Sequence, residues 1–275
     1  MDRQPLSLQE NQQVTAEVME KIHELCKQLH LQYFLAYGTL IGAIRHKGYI
    51  PWDDDLDIMM PRKDYEILLE YFRTHAKELE PYRLFTPDTV ADYPYMLARI
   101  CDCRYEIDTD NEKSCGMGAF VDIYPLDGLG KTKEEAVARM AKAAKYVSMY
   151  FLSTRLRCEK GLTKSKLKLL IKFPAFVLAK LIGKKFFMKK LNAMASVCDY
   201  EGSDYIGCLI WDTDTESGVF PKAWFADTVA VPFGTKEFLV PKEYDAVLKK
   251  GYGDYMQLPP EEDRIAHHFY RIYKK

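Results

Sequence analysis

The stretch from Asp53 to Met60 most strongly constrains the fold, because acidic residues alternate with apolar ones from Asp55 onward. Alternate residues of a β-strand project from the same face. We therefore predict a strand from Asp55 to Met60 with one wet face. On that face Asp53, Asp55 and Asp57 are expected to converge.

Three carboxylates at such close range repel one another, and a divalent cation removes this conflict. Mg²⁺ or Mn²⁺ suits hard oxygen ligands, so the spacing predicts a metal site. An exposed acidic loop without function is the alternative, but the apolar residues between the acids argue against it. A calcium loop is disfavoured because Ile58 occupies the sharply turning position that is normally glycine.

Asp122 is a further candidate ligand, because it lies inside the otherwise apolar strand predicted from Ala119 to Tyr124. A buried carboxylate is costly unless it is paired or bound to metal. The competing interpretation is a buried acid that hydrogen-bonds to an arginine or to the backbone. Asp127, within an Asp-Gly turn signal that follows Pro125, is interpreted as turn chemistry.

A glycine turn precedes the acidic stretch. An aromatic strand from Tyr33 to Tyr37 is predicted to end at Gly38, and Thr39 is predicted to open a helix. A glycine at the mouth of a helix lets the backbone approach phosphate oxygens and offers unpaired amides. The other candidate substrate-binding residues are Arg45, His46, Lys47 and Trp52. Ordinary surface charge is an equally good account of the three cations.

The other predicted elements follow capping, periodicity and turn signals. Capping boxes predict helices after Ser7 and after Thr132, the second running to about residue 157. Asp64 is predicted to cap a helix that ends at Leu79. A hairpin is predicted near residues 233–235, with helical pieces near residues 241–250 and 261–273. His267 and His268 are interpreted as structural residues of the last piece.

Residues 160–190 differ from the rest of the chain, with ten lysines, no acid and interleaved apolar residues. Such a basic amphipathic segment is typical of a helix lying on an anionic membrane. A soluble helical subdomain, whose lysines extend over its core, explains the pattern almost equally well. Nucleic-acid binding is less favoured because the segment lacks arginine.

The composition excludes a strongly charged chain, since 39 basic and 40 acidic residues leave a formal net charge of -1. No nucleic-acid partner is therefore expected. Without an apolar leader we expect a cytoplasmic protein, attached at most peripherally to the inner face of the membrane. Its seven cysteines are expected to be reduced thiols. A zinc site at Cys101, Cys103 and Cys115 is disfavoured for want of a fourth ligand.

Two runs resemble the signatures of the LicD family of phosphocholine transferases, which is distantly related to fukutin-related proteins. They are YGTLIGAIRHKGYIPWDDDLDIMMPRKDYE, from Tyr37 to Glu66, and GAFVDIYPLDG, from Gly118 to Gly128. A weaker third match is GYGDYMQLPPEEDRIAHH, from Gly251 to His268.

The resemblance implies an α+β, nucleotidyltransferase-like fold with a mixed sheet, flanking helices and a helical lysine-rich insertion. Its divisions are a catalytic core over residues 1–130, a basic helical part over 131–200 and a completing part over 201–275. It also implies transfer of an alcohol phosphate, such as phosphocholine, from a CDP-linked donor to a glycan or lipid-linked glycan. Metal is implied on the residues matching Asp53, Asp55, Asp57 and Asp122, of which the last three are the expected catalytic residues.

Two other functions compete with this one. A glycosyltransferase could use an Asp-x-Asp motif with a nucleotide sugar, although a βαβ start would be expected there. A noncatalytic membrane-associated scaffold is the second rival, and the complete set of acids argues against it.

Overall fold

A computed structural model describes residues 4–158, 166–265 and 270–275 and shows a mixed α+β fold. A π-helical turn over residues 42–46 continues the second helix. Within these ranges the α-helices are α1 (Leu8–Gln28), α2 (Tyr37–Ile41), α3 (Arg62–Thr74), α4 (Lys133–Thr154), α5 (Lys166–Ile182), α6 (Lys184–Ala195) and α7 (Tyr244–Tyr252).

The described strands form one large sheet and two small ones. They are β1 (Phe34–Leu35), β2 (Asp57–Pro61), β3 (Tyr82–Phe85), β4 (Ala98–Asp102), β5 (Tyr105–Thr109), β6 (Ala119–Gly130), β7 (Tyr205–Gly207), β8 (Phe220–Pro221), β9 (Thr228–Phe233), β10 (Lys236–Pro241) and β11 (Tyr270–Lys274).

The large sheet has the order β1-β2-β6-β4-β3, and β7 with β8 extends it beside the second half of β6. Only β2 and β6 pair in parallel, so the sheet is mixed. Strands β9 and β10 pair separately, as do β5 and β11. The mixed sheet confirms the predicted α+β class. The proposed domain boundaries stay a prediction.

Strand β2 is buried on both faces, which explains its nearly continuous apolar sequence. Ile58 and Met60 pack in one core cluster, which includes residues of α1 and α3. Met59 points the opposite way, into a second cluster that includes residues of α4. Asp57 is two residues before Met59 and therefore lies on the α4 face of the sheet.

Several local predictions are confirmed. Both capping boxes form, at Ser7 for α1 and at Thr132 for α4. The predicted hairpin is that of β9 and β10, which turns at Gly234 with φ +63°. All seven cysteines are free.

Other predicted bounds are wrong. The acidic strand begins at Asp57 instead of Asp55. The helix assigned to Asp64–Leu79 is α3, which ends at Thr74. The Asp64 carboxylate accepts a hydrogen bond from the Gln32 amide, 2.9 Å away, instead of capping α3. The helical piece predicted near residues 261–273 is wrong at its end, where β11 pairs with β5, while Glu261–Asp263 form a short 3₁₀ turn. His267 and His268 lie outside the described residues.

Asp127 does not form a turn. It lies inside β6, which continues past Pro125 to Gly130 because β7 pairs with its second half. Its side chain is buried, and Oδ1 accepts a hydrogen bond from Arg62 Nε at 2.8 Å. A tertiary ion pair has therefore replaced the local turn chemistry.

The lysine-rich stretch is helical where it is described, with α5 and α6 separated by Gly183, whose φ is +82°. Both helices pack against α4, partly through the buried Ala179 and Leu191. Among the described helices, none combines the length and apolarity needed to cross a bilayer.

Replacing Arg62 by alanine is expected to destabilise the fold by about 2 to 4 kcal/mol, because Asp127 would stay buried without its cation. Urea unfolding monitored by circular dichroism measures this change. Arg73→Ala is the matched control on α3, since Arg73 pairs with Glu70 at the surface and should contribute below about 1 kcal/mol. Equal losses in the two variants would contradict the importance of the buried pair.

Candidate functional site

Three charged side chains stand side by side on adjacent strands. In the parallel pairing of β2 and β6, Asp57 is the register partner of Asp122. In the antiparallel pairing of β4 and β6, Asp122 is the partner of Arg99. We call Asp57, Asp122 and Arg99 the charge row. Because cross-strand partners share a face, the row brings two acids and one cation together.

Asp55 joins the two acids of this row from the loop that precedes β2. Carboxylate oxygens of Asp55, Asp57 and Asp122 lie within 4.8 Å of one another, and we call these three residues the acid cluster. Asp53 instead forms a second such group with Asp54 and Asp55. The predicted convergence of Asp53, Asp55 and Asp57 on one strand face is wrong, because only Asp57 lies in β2, although all three acids line the same cavity.

The loop that carries these acids is held by side chains from distant parts of the chain. Asn11 Nδ2 donates to the carbonyl of Asp54 at 2.6 Å, and Tyr270 Oη donates to the same carbonyl at 3.1 Å. Gln12 Nε2 donates to the carbonyl of Asp53 at 2.8 Å. These bonds explain how a loop, rather than a strand, fixes the acids.

Arg99 binds Asp122 through two hydrogen bonds, from Nε at 2.5 Å and from an Nη at 3.1 Å. The guanidinium also lies between two rings, 4.0 Å from the centroid of Tyr95 and 3.8 Å from that of Phe120. Burial disfavours this cation, but Asp122 raises the pKa of Arg99 well above its ordinary value. The arginine-paired interpretation of Asp122 is therefore confirmed, and Asp122 belongs to the acid cluster as well.

Asp57 is a buried carboxylate surrounded by other acids. Burial, followed by the charges of Asp55, Asp122 and Asp53, raises the pKa of Asp57 well above its ordinary range, and a hydrogen bond from Tyr124 opposes this only partly. Its buried Oδ1 has no hydrogen-bond partner among the described residues. An orphaned oxygen beside two other carboxylates fits a hard divalent cation.

Gly38 and Thr39 both serve the acidic loop. Gly38 lies in the first turn of α2, where an added Cβ would stand 2.7 Å from Asp53 Oδ2, so a larger residue would require the Asp53 carboxylate to move. Thr39 is buried, and its hydroxyl accepts a hydrogen bond from the Asp57 amide at 2.9 Å. The threonine thus positions an acid of the cluster.

The remaining predicted substrate-binding residues are placed unequally. Arg45 and Trp52 line the cavity above the acids, whereas His46 and Lys47 do not line it. Arg45 Nη1 donates to the carbonyl of Tyr255 at 2.7 Å, while its Nε donates to His46 Nε2 at 2.9 Å. Lys47 ends the π-helical turn with φ 59°.

The cavity that opens onto Asp55 and Asp57 has a volume of about 860 Å³, enough for a nucleotide-sized ligand. Much of its lining is aromatic. Tyr37 and Tyr124 meet edge to face at 5.0 Å, and Tyr124 meets Trp211 likewise at 5.5 Å. We call these three side chains the aromatic wall.

Sequence reasoning missed several residues of this site, among them Arg99, Trp211 and Asp212. The Tyr37 hydroxyl donates to Asp212 Oδ1 at 3.0 Å behind the aromatic wall. Burial raises the pKa of Asp212 to about 7. A signal existed only for Arg99, which interrupts the apolar run Leu97-Ala98-Arg99-Ile100-Cys101.

Similarity to known proteins agrees with this geometry. A family model described as "LicD/FKTN/FKRP, nucleotidyltransferase domain" matches residues 30–136, which contain the acid cluster and Arg99. The lipopolysaccharide cholinephosphotransferase LicD of Haemophilus influenzae is 32% identical over 274 residues, covering 98% of each chain.

The chain belongs to the LicD family. Shorter matches, each 41% identical over 63 residues, connect it to uncharacterized proteins of Rickettsia prowazekii and Rickettsia typhi. They cover 23% of this chain and 23% and 20% of those proteins, respectively. A nucleotidyltransferase-like fold is consistent with the name of the family model. Trp211 lies outside residues 30–136, the part of the chain that the family model matches, so part of the cavity wall comes from beyond that part.

A saturating divalent cation should raise the melting temperature of the wild-type protein. Binding at one hundred times the dissociation constant stabilises a fold by about 2.7 kcal/mol, or roughly 5 °C. Asp57→Asn should lose this shift, which differential scanning calorimetry with and without Mg²⁺ or Mn²⁺ can measure. An unchanged shift in Asp57→Asn would argue against a metal at the acid cluster.

The same variant gives a pH test without metal. Since the pKa of Asp57 is raised in the folded state, the folded chain holds this proton more tightly than the unfolded chain. Wild-type stability should therefore fall, relative to Asp57→Asn, as the pH rises from the ordinary carboxyl pKa through the raised one. Parallel stability curves for the two proteins would contradict the assignment.

Proposed function

We propose that this chain transfers an alcohol phosphate, most specifically phosphocholine, from a CDP-linked donor to a hydroxyl of a cell-surface glycan precursor. The observation that carries the proposal is the acid cluster at the base of an aromatic cavity, in a chain that belongs to the LicD family. The Haemophilus influenzae relative, a lipopolysaccharide cholinephosphotransferase, points in the same direction.

Asp55, Asp57 and Asp122 would hold Mg²⁺ or Mn²⁺, with Asp53 next to them. When bound, the cation neutralises the charge of the donor diphosphate and of the phosphoryl group during transfer. Arg99 keeps Asp122 in place through its two hydrogen bonds. Thr39 fixes the backbone of Asp57. Their shared task is to assemble the acids before substrate arrives.

In the transfer, the acceptor oxygen forms a bond to the phosphorus of phosphocholine while the phosphoanhydride bond to CMP breaks. CMP leaves with the electron pair of that bond, and the acceptor hydroxyl loses its proton to a carboxylate of the cluster. Asp55 or Asp57 suits this role better than Asp122 does, through the carboxylate oxygen that would not hold the cation. Both oxygens of Asp122 already accept hydrogen bonds from Arg99.

The aromatic wall favours a cationic alcohol as the transferred group. Ring faces attract quaternary ammonium groups through their quadrupoles, and this attraction increases where water is displaced. Carboxylates of Asp254 and Asp263 also line the cavity. Such a lining suits the trimethylammonium group of choline better than a neutral polyol such as ribitol or glycerol, which needs more hydrogen-bonding partners.

Wild-type protein with Mg²⁺ should release CMP slowly from CDP-choline, and faster when a glycan acceptor is supplied. Asp57→Asn should lower the rate by at least about a hundredfold, because the acid cluster loses a carboxylate that would hold the cation, and the cation would stabilise the transition state. Asp227→Asn is the control, since Asp227 pairs with Lys242 at the surface. A chromatographic assay for CMP measures both rates.

The same assay separates the competing functions. CDP-choline, CDP-ribitol, CDP-glycerol and UDP-sugars are compared under identical conditions. Release of UDP from a sugar donor, without release of CMP, would replace the proposal by a glycosyltransferase. Absence of turnover with every donor, together with intact folding, would favour a noncatalytic scaffold.

The cationic group is tested with the CDP ester of 3,3-dimethylbutanol, a neutral isostere of choline. We expect wild-type kcat/KM to favour CDP-choline by about tenfold. Trp211→Leu should remove most of this preference, whereas Trp224→Leu should keep it, because Trp224 does not line the cavity. If Trp211→Leu instead weakens binding of CMP as much as that of CDP-choline, the wall holds the cytosine ring.

A further inference from the structure

Helix α5 presents an apolar surface to solvent on the side away from its packed face. Ala179 is fully buried, whereas Leu181, only two residues away, is 80% exposed. Among residues 172–182, the part of this helix whose side chains are described, the other exposed large apolar residues are Phe173, Val177, Leu178 and Ile182. We call these five exposed residues the apolar ridge.

Helix geometry shows that the apolar ridge is continuous. At about 100° per residue, Leu181 lies roughly 200° from Ala179 and thus opposite the contact with the body of the protein. The other four side chains fall within about 100° of Leu181 on either side. A helix that is apolar on its packed and its exposed face needs a second apolar environment.

Positive charge adjoins the ridge on the next helix. Lys185, Lys189 and Lys190 are exposed on α6, as is Phe186, which lies 5.7 Å from the Lys190 ammonium. The sequence contains no Asp or Glu between residues 160 and 198. Apolar residues bordered by unopposed lysines are typical of surfaces that enter the headgroup region of anionic bilayers.

Two other lysines anchor these helices to the protein through hydrogen bonds from their ammonium groups. Lys180 Nζ donates to the carbonyl of Ser153 at 2.9 Å. Lys184 Nζ donates to the carbonyl of Tyr93 at 3.0 Å and also to that of Ala91. The two helices are therefore fixed to the body, so the ridge is presented as a preformed surface.

We propose that the apolar ridge and the exposed lysines of α6 dock this protein on an anionic lipid surface, with α5 lying in the plane of the interface. A second copy of the chain is a poorer occupant, because a twofold contact would bring like-charged lysines together. This proposal is independent of the transfer reaction. The alternative is a soluble helical subdomain that does not bind lipid.

Sedimentation with vesicles tests the proposal in the full-length protein. Wild type should bind vesicles of phosphatidylglycerol mixed with phosphatidylcholine, and it should bind pure phosphatidylcholine at least about tenfold more weakly at low salt. Leu181→Asp should reduce binding to the anionic vesicles by about tenfold or more. Ile67→Asp, an equal change at an exposed residue of α3, should leave binding unchanged.

Further variants test whether the lysines of α6 and the cavity contribute to vesicle binding. Lys185→Glu with Lys189→Glu should weaken binding to the anionic vesicles, whereas Lys63→Glu with Lys77→Glu should not. Trp211→Leu should bind the vesicles like wild type. This result would exclude binding through recognition of the choline headgroup by the cavity. The proposal is overturned if wild type ignores anionic vesicles or if Leu181→Asp binds equally well. A concentration-dependent dimer that Leu181→Asp abolishes, without vesicle binding, would assign the ridge to a second copy.

Discussion

The contact between Arg99 and Asp122 is the interaction on which the rest of the site depends. Without the guanidinium, β6 would carry a buried carboxylate directly beside Asp57, and parallel register would force the two charges together. Arg99 balances one of them and is itself stabilised between two aromatic rings. The remaining negative charge of the cluster, on Asp55 and Asp57, is what a divalent cation would neutralise. The sheet thus tolerates a concentration of acids that a purely apolar strand environment would exclude.

Sequence patterns predicted those elements whose decisive contacts are local. The capping boxes at Ser7 and Thr132 each close within three residues, and the hairpin at Gly234 needs a single tight turn. Turn signals failed in β6, where Asp127 finds its partner Arg62 far away in the chain. Burial against β7 and a buried ion pair outweighed the turn preference of an Asp-Gly pair. No local pattern contains that information.

In the candidate site, too, features set by local sequence were predicted and those set by distant contacts were not. Residue type was enough to select Asp55, Asp57 and Asp122, because acids inside apolar runs are costly without a partner. Strand alternation was the reason given for the convergence of Asp53, Asp55 and Asp57, and it is wrong because only Asp57 lies in β2. Asp55 is brought in by a loop that Asn11 and Tyr270 hold, and such contacts between distant segments leave no periodic signature. Trp211 was missed for the same reason, since it enters the cavity from outside the family signature.

A net charge of -1 conceals a strong separation of charge within the chain. Acids gather at one cavity, while residues 160–198 carry lysines without a single acid. If charges were mixed evenly, neither region would exert a directed field even within the Debye length, which is about 8 Å at physiological salt. Segregation instead concentrates negative charge at the cavity, where we propose a cation, and positive charge on α5 and α6, where we propose an anionic surface. Composition alone averages these two fields to nearly zero, so their partners can be inferred only from where the charges stand.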